Sequence, residues 1–465
     1  VTAAGDTAQT ITRGTTSFKF AAVSAAFHLA GRIAPVETLT TNWRTHGGVQ
    51  ALCSHVIRAM CRRFPGAVEK LPEERAHFAG PPPVCLATAD LDAAAQLLFT
   101  GEDSVIESSA NHLTELGAHQ CVFVRRADSR AKLPAEFLSS MCFTVEEGKG
   151  LEFADVVAAN FFTDSDAKPA EWEAVLSGWG HQDEDAANDD HVLLSAGAGA
   201  RDPLVSAERE AVMLEEIKLL YVLCTRAKRR LIFVESDDRA RAVFFDAARR
   251  AGLTTARLPP GGARFAEAST AEEWRARGAS LLSDQKTYVA AATCFRNAGD
   301  VVGWLRATAE ARRARAVAAG PAATAATRDI DFDGAARCHL MHAAAVAAPA
   351  IGGGKGGGSG SAAELCGAIV KAAYCLHRLR RHNAAAAALE LVGCRCAAAV
   401  CYLHAAVAAN DDNAEEGTAG TAAASLAAAS AALRGNGSAY ATQSTELSMA
   451  AAAGGRGAAG GGGGR

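Results

Sequence analysis

Gln9, Arg44, Glu152 and Arg226 are the side chains of this sequence whose types and settings suit phosphate chemistry. A glutamine amide donates to an oxyanion and accepts from a water molecule, so it can sense both partners of a hydrolysis. A guanidinium presents a planar fork of donors that matches phosphate oxygens, and a carboxylate accepts from hydroxyl groups. The local settings are Gly5-Asp6-Thr7-Ala8-Gln9-Thr10-Ile11, Asn42-Trp43-Arg44-Thr45-His46, the run from Thr144 through Lys149-Gly150-Leu151-Glu152-Phe153, and the run from Glu215 to Ala227 that contains Tyr221, Thr225 and Arg226. Singly, each has an ordinary alternative: a Gly-Asp turn at a strand end, a surface-paired arginine at a helix start, a turn between strands, an arginine on a helix surface.

Together, and in this chain order, the four runs resemble the third to sixth motifs of UvrD/Rep-type superfamily 1 helicases. The resemblance implies that Gln9 reaches the nucleotide, that Arg44 contacts the γ-phosphate and that Glu152 meets the nucleotide sugar. It implies also that Thr144 and Lys149 lie on the nucleic-acid side of their loop, and that Arg226 is an arginine finger stabilising charge on the transferring phosphoryl group. Two departures stand out. Glu146 replaces the usual histidine, adding negative charge near an expected phosphate track. After Gln9, Thr12 and Gly14 stand where many members carry base-stacking aromatics, with Phe18 and Phe20 further on; such stacking is worth about 1–3 kcal/mol per base. The runs around Gln9, from Gly117 to Arg125 and from Asn160 to Ser165 look most like TPR and ankyrin repeat-containing proteins with UvrD-like helicase cores, a resemblance covering roughly residues 4–314.

The implied cofactor is ATP, and the implied partner is a single strand of DNA or RNA moved as two RecA-like domains close on the nucleotide. No Gly-x-x-x-x-Gly-Lys-Ser/Thr loop is present, and Lys355 lies among linker glycines. The phosphate cradle and the residues that hold Mg2+ are therefore expected in a preceding half of the site, the chain beginning inside the first RecA-like domain and hydrolysing no ATP alone. The rival expectation is a non-catalytic scaffold that keeps the helicase fold and binds proteins through helical repeats.

The elements that must position these residues are an α/β pattern. Val84–Ala87, Cys121–Val124, Cys142–Val145, Val156–Ala159 and Leu231–Val234 read as buried strands, and Val49, Leu52, Val56, Ile57 and Met60 recur at helical spacing up to a stop at Pro65. A RecA-like, mainly parallel sheet is predicted over 31–245, after the end of a first such domain at 1–30. Ligand-facing loops gather at the carboxyl ends of strands in such sheets, so the four motifs are expected to converge there. Residues 163–202, with Asp183-Glu184-Asp185, Asp189-Asp190, Trp172 and Trp179, read as an acidic insertion.

Beyond Ser269 the pattern is helical. Ser269 and Thr270 precede Glu272 and Glu273 as a capping signal, and 266–320 reads as a TPR-like hairpin in which Gly278, Ala291, Phe295 and Ala298 approximate one repeat. Residues 321–361 read as linker, 362–448 as an alanine-rich helical region and 449–465 as a glycine-rich disordered tail. Cys394, Cys396, Cys401 and His404 have zinc-ligand types, but thiols in alanine-rich helices usually pack as small apolar groups; Cys338, His339 and His342 fare no better.

The composition bounds the rest. Apolar residues make up 49% but aromatics only 6%, with 44 Gly, so good packing must be local. A net charge of −4 excludes coating of nucleic acid by bulk charge, leaving a localised groove. Thirteen scattered cysteines without framework spacing, and no signal segment, point to reduced thiols in the nucleus or cytoplasm, and no apolar run is long enough for a membrane span.

Overall fold

The computed structural model describes residues 5–11, 25, 37–69, 72–88, 90–100, 116–177, 179, 207–256, 258, 265–283, 287–319, 325–351, 362–411, 424 and 427–428. They form two units, Val1–Thr270 and Ala271–Arg465.

The first unit is mixed α/β. Strands β1 (Thr41–Asn42) and β2 (Arg75–Ala76) make a small parallel pair flanking helix α1 (Gly47–Arg63). Then follow β3 (Val84–Leu86), α2 (Leu91–Thr100), β4 (Gln120–Val124), α3 (Ala135–Ser139), β5 (Cys142–Thr144), β6 (Phe153–Ala159), α4 (Pro169–Leu176), α5 (Ala207–Cys224), β7 (Ala227–Val234) and α6 (Asp238–Arg250). The sheet has five parallel strands in the order β3-β7-β6-β4-β5. Continuous apolar runs such as Val156–Ala159 suit strands covered on both faces, and every residue of β4 is buried. Helix α1 stops at Arg63 with Phe64 as its cap, ahead of Pro65.

The connection from β5 to β6 crosses over β4 in eight residues, Val145–Glu152, without a helix. Two glycines allow it. A Cβ on Gly148 would stand 2.1 Å from Cε1 of the buried Phe123 ring in β4, so only glycine lets the loop lie on that ring. Gly150 has φ 88°, a conformation side chains disfavour.

The acidic-insertion reading of 163–202 needs correction at its start. Trp172 and Trp179 are buried, in aromatic contact with Phe162 and Phe244, and α4 is part of the core. Burial of such rings, about 150–250 Å2 each, outweighs the polar character of the surrounding sequence. The clusters at Asp183–Asp185 and Asp189–Asp190, like Thr12, Gly14, Phe18 and Phe20, lie outside the described residues.

The second unit is helical: α7 (Ala271–Ser283), α8 (Tyr288–Asn297), α9 (Val301–Ala318), α10 (Ala325–Ile351), α11 (Ala362–Arg378), α12 (His382–Leu391) and α13 (Arg395–Asp411), each packed on its neighbour in the chain. Gly278 of α7 and Gly303 of α9 both face the Phe295 ring of α8, with would-be Cβ atoms 3.2 and 2.4 Å from its Cδ1. Ala291 and Ala298 are buried beside it. Small residues thus admit an aromatic knob between the helices, an arrangement compatible with a TPR-like hairpin. Ser269, expected to cap α7, belongs to the first unit, within which it accepts from the Ala118 backbone N–H. Within 321–361, read as linker, 325–351 is helix: Phe332, Ala335, Ala336 and Ala343 are buried, joined in one core with α11, α12 and α13. Composition hid this because alanine signals no amphipathic stripe. Residues 352–361 and 449–465 lie outside the described residues.

Candidate functional site

Asp6 starts the site by capping a short 3-10 turn, Thr7–Gln9: its carboxylate accepts from Ala8 N–H at 2.9 Å and from the Gln9 amide at 2.8 Å. The turn is tied to α5, where the Tyr221 hydroxyl donates to Asp6 at 3.2 Å. Five residues on, where α5 ends and β7 begins, Arg226 is 2% exposed. Its guanidinium donates to Gln9 Oε1 at 3.0 Å, Leu151 O at 3.0 Å, Val222 O at 3.0 Å and Thr225 Oγ1 at 2.8 Å. Burial, and then the charge of Arg44, push the Arg226 pKa down.

Arg44 approaches from the turn after β1, held there because Asn42 Oδ1 accepts from the backbone N–H groups of Arg44 and Thr45. The Thr45 hydroxyl donates to Lys228 O at 3.3 Å, and the His46 ring lies 2.6 Å from Arg229 O, so the segment runs along the start of β7. Arg44 donates to Glu152 at 2.9 Å, and Lys228 pairs with the other Glu152 oxygen at 2.8 Å. Partial burial disfavours the charged carboxylate, but these cations hold Glu152 below the usual range.

The four sequence-derived residues Gln9, Arg44, Glu152 and Arg226 therefore meet, although up to 217 positions separate them. They meet at the amino ends of β6 and β7, not at the carboxyl edge expected from doubly wound sheets. The reason is local: Glu152 precedes Phe153 and Arg226 precedes Ala227, two residues paired across the first register position of β6 and β7. Asp6, Tyr221 and Lys228 complete the cluster and were missed as site residues.

Thr144 and Lys149 do not join it. Thr144 closes β5 at the carboxyl edge, where its hydroxyl accepts from Glu147 N–H at 3.2 Å and its own N–H donates to Glu147 at 2.8 Å. Thr144 is level with Ala159, seven residue steps along β6 from Glu152, about 23 Å at strand rise. Thr144 is thus a buried turn residue, and Lys149 is exposed in the crossover loop.

At the carboxyl edge the strand order reverses between β4 and β6, the place where crevices form in such sheets. An open cleft of about 380 Å3 lies there, lined by Arg125, Arg126, Thr144, Glu146 and Asp166. Arg125 and Glu216 of α5 are buried against each other, with Arg125 Nε 2.9 and 3.1 Å from the two carboxylate oxygens. Ser165 donates to Glu216 and accepts from Trp172 Nε1. Glu146 caps the outer edge of Arg125 at 3.2 Å. Glu146 thus shares Arg125 with Glu216 and Asp166, and nothing in its spacing announces this.

Fold and site together define a mixed α/β unit with a five-stranded parallel sheet, followed by helices compatible with TPR-like repeats. The chain is similar to TPR and ankyrin repeat-containing protein 1 of Homo sapiens, 29% identical over 317 residues that cover 63% of this chain and 10% of that protein. It spans about a tenth of that relative's length. No family model matches the chain, and no solved structure matches it. No helix among the described residues is long and apolar enough to cross a membrane.

Proposed function

We propose that this chain is part of a repeat-bearing interaction protein, in which the helices of 271–411 offer surface to protein partners and the α/β unit is a helicase-derived module. The observation carrying this reading is the series of helices each packed on its chain neighbour, with the Gly278–Phe295–Gly303 contact at its start. The similarity to a protein named for its repeats supports it. The test is proximity labelling from the full-length protein in cells, comparing wild type with Ala372→Asp, which puts a charge at a fully buried position of α11, and with Arg226→Lys. Partners lost in Ala372→Asp and kept in Arg226→Lys are expected. Partners that follow the arginine instead would overturn the reading.

The convergence of Gln9, Arg44, Glu152 and Arg226 favours a second reading, half of an ATP site of a superfamily 1 helicase. Arg44, Arg226 and the Gln9 amide would hold phosphate oxygens, and Glu152 the sugar hydroxyls; magnesium ligands and a phosphate loop would come from residues outside this chain. The guanidiniums would supply charge stabilisation to a transferring phosphoryl group. In a longer chain carrying a phosphate loop, Arg44→Ala or Arg226→Lys would lower ATP turnover about 10²- to 10⁵-fold. Unchanged turnover refutes it. A nucleic-acid strand finds less support, since Glu146 and Asp166 border the cleft beside Arg125 and leave Lys149 as the exposed cation of the loop.

A further inference from the structure

The turn between α11 and α12 is strongly basic: His377-Arg378-Leu379-Arg380-Arg381-His382 carries three arginines, two histidines and no acid. Arg381 donates to Asp333 of α10 at 2.9 Å. Arg337, one turn further along α10, meets the other oxygen of the same carboxylate at 2.7 Å, so one acid sets two guanidiniums side by side. Arg378 closes α11 with its guanidinium over the Phe332 ring of α10, 5.6 Å from the centroid, a contact that orients the cation without neutralising it. Tyr374, one turn earlier on α11, packs edge-on against that ring at 6.3 Å and remains 43% exposed. Arg337, Arg378, Arg380 and Arg381 are all exposed, and among the described residues neither Arg378 nor Arg380 has a carboxylate partner. Four guanidiniums therefore share one carboxylate on a surface drawn from α10, α11 and the turn that follows.

Like charges gathered with so little counter-charge repel one another, and an arriving anion relieves that repulsion. Guanidinium forks match carboxylates in bidentate geometry, and the exposed Tyr374 ring adds apolar contact with a polar tip. Asp333 stands between Arg337 and Arg381, so a continuous phosphodiester track would be carried over a fixed negative charge. Carboxylates spaced along a peptide can pair with the guanidiniums and pass that charge by. A patch of four arginines on a chain of net charge −4 also suits a short peptide better than a nucleic acid, whose binders carry an extended basic stripe. We propose that this surface of α10, α11 and the α11–α12 turn docks an Asp/Glu-rich peptide segment of a protein partner. The inference rests on the interaction reading above and gives that reading a surface and a partner chemistry.

The experiment is fluorescence anisotropy with the full chain and a labelled glutamate-rich peptide, beside its glutamine counterpart and an oligonucleotide of equal charge. The glutamate peptide is expected to bind, more weakly as salt rises, and the glutamine peptide not to bind. Arg378→Gln and Arg380→Gly should each weaken binding about 3- to 5-fold, and the pair together at least ~10-fold. Arg380 has φ 59°, so glycine there removes the guanidinium while suiting the backbone of the turn. Arg296→Gln, which removes the same charge from an exposed position on α8, should leave binding unchanged. Equal binding of the two peptides, tighter binding of the oligonucleotide, or as large a loss in Arg296→Gln as in Arg378→Gln overturns the proposal. Should any of these accompany the expected loss of cellular partners in Ala372→Asp, the interaction reading stands and the acidic-peptide assignment alone is struck.

Discussion

Replacing Gly148 by alanine tests whether the β5–β6 crossover is as tightly fitted as its geometry requires. The added methyl would lie 2.1 Å from Phe123 Cε1 and 2.5 Å from Cζ, while ordinary carbon contacts begin near 3.5 Å, so about 1.5 Å of displacement is needed. Phe123 cannot supply it by turning: it is 1% exposed and its ring is flanked by Phe143 and Phe153 at 6.0 Å. Backbone torsion is not involved, because Gly148, unlike Gly150, has no positive φ. Overpacking of a rigid core costs about 1–3 kcal/mol, and this site belongs at the upper end, near 3 kcal/mol. Urea unfolding followed by the near-ultraviolet signal of the buried Trp172 and Trp179 would read it. In a Phe123→Leu background the methyl has room, so the penalty should shrink by at least about 1.5 kcal/mol. A Gly148→Ala protein within about 0.5 kcal/mol of wild type, or one equally destabilised in both backgrounds, would refute the steric account.

Arg226→Ala should unfold the α/β unit more readily by about 2–4 kcal/mol without any nucleotide, since it strips donors from the buried Leu151 and Val222 carbonyls; equal urea midpoints would show those bonds to be dispensable. Glu216→Ala should cost about 1.5–3 kcal/mol, because Arg125 loses its buried partner and keeps only Glu146 and Asp166, whereas Arg125→Met with Glu216→Leu should come closer to neutral, as thermal unfolding can decide. Glu235 is fully buried, and burial lifts its carboxyl to about 7 although Phe162 N–H, Thr163 N–H and the Thr163 hydroxyl donate to it. The folded state therefore keeps a proton that the unfolded chain gives up near its ordinary 4.5, so this contribution is complete below that pH and is lost as pH rises through about 7. The loss amounts to about 3 kcal/mol, and unfolding measured across that range should be flatter in Glu235→Gln.

The sequence by itself determined the parallel α/β unit, because apolar runs of strand length alternating with helical patterns have few other ways to bury both faces of each strand. All five sheet strands were legible, with ends shifted by up to four residues, as at Leu231 against the observed start at Ala227. Gln9, Arg44, Glu152 and Arg226 stand out through a resemblance in motif order, and the structure brings these four side chains together. Which edge of the sheet they occupy was decided only by tertiary structure, through the pairing of Phe153 with Ala227 that brings the preceding Glu152 and Arg226 alongside. The same holds for Arg125 with Glu216, 91 positions apart, and for the rings of Phe162, Trp172 and Phe244. Ion pairs and ring clusters across long separations leave no periodic trace in the chain. Hydrophobic pattern is a local property that a sequence carries openly, while the partner of a buried charge depends on how distant elements pack.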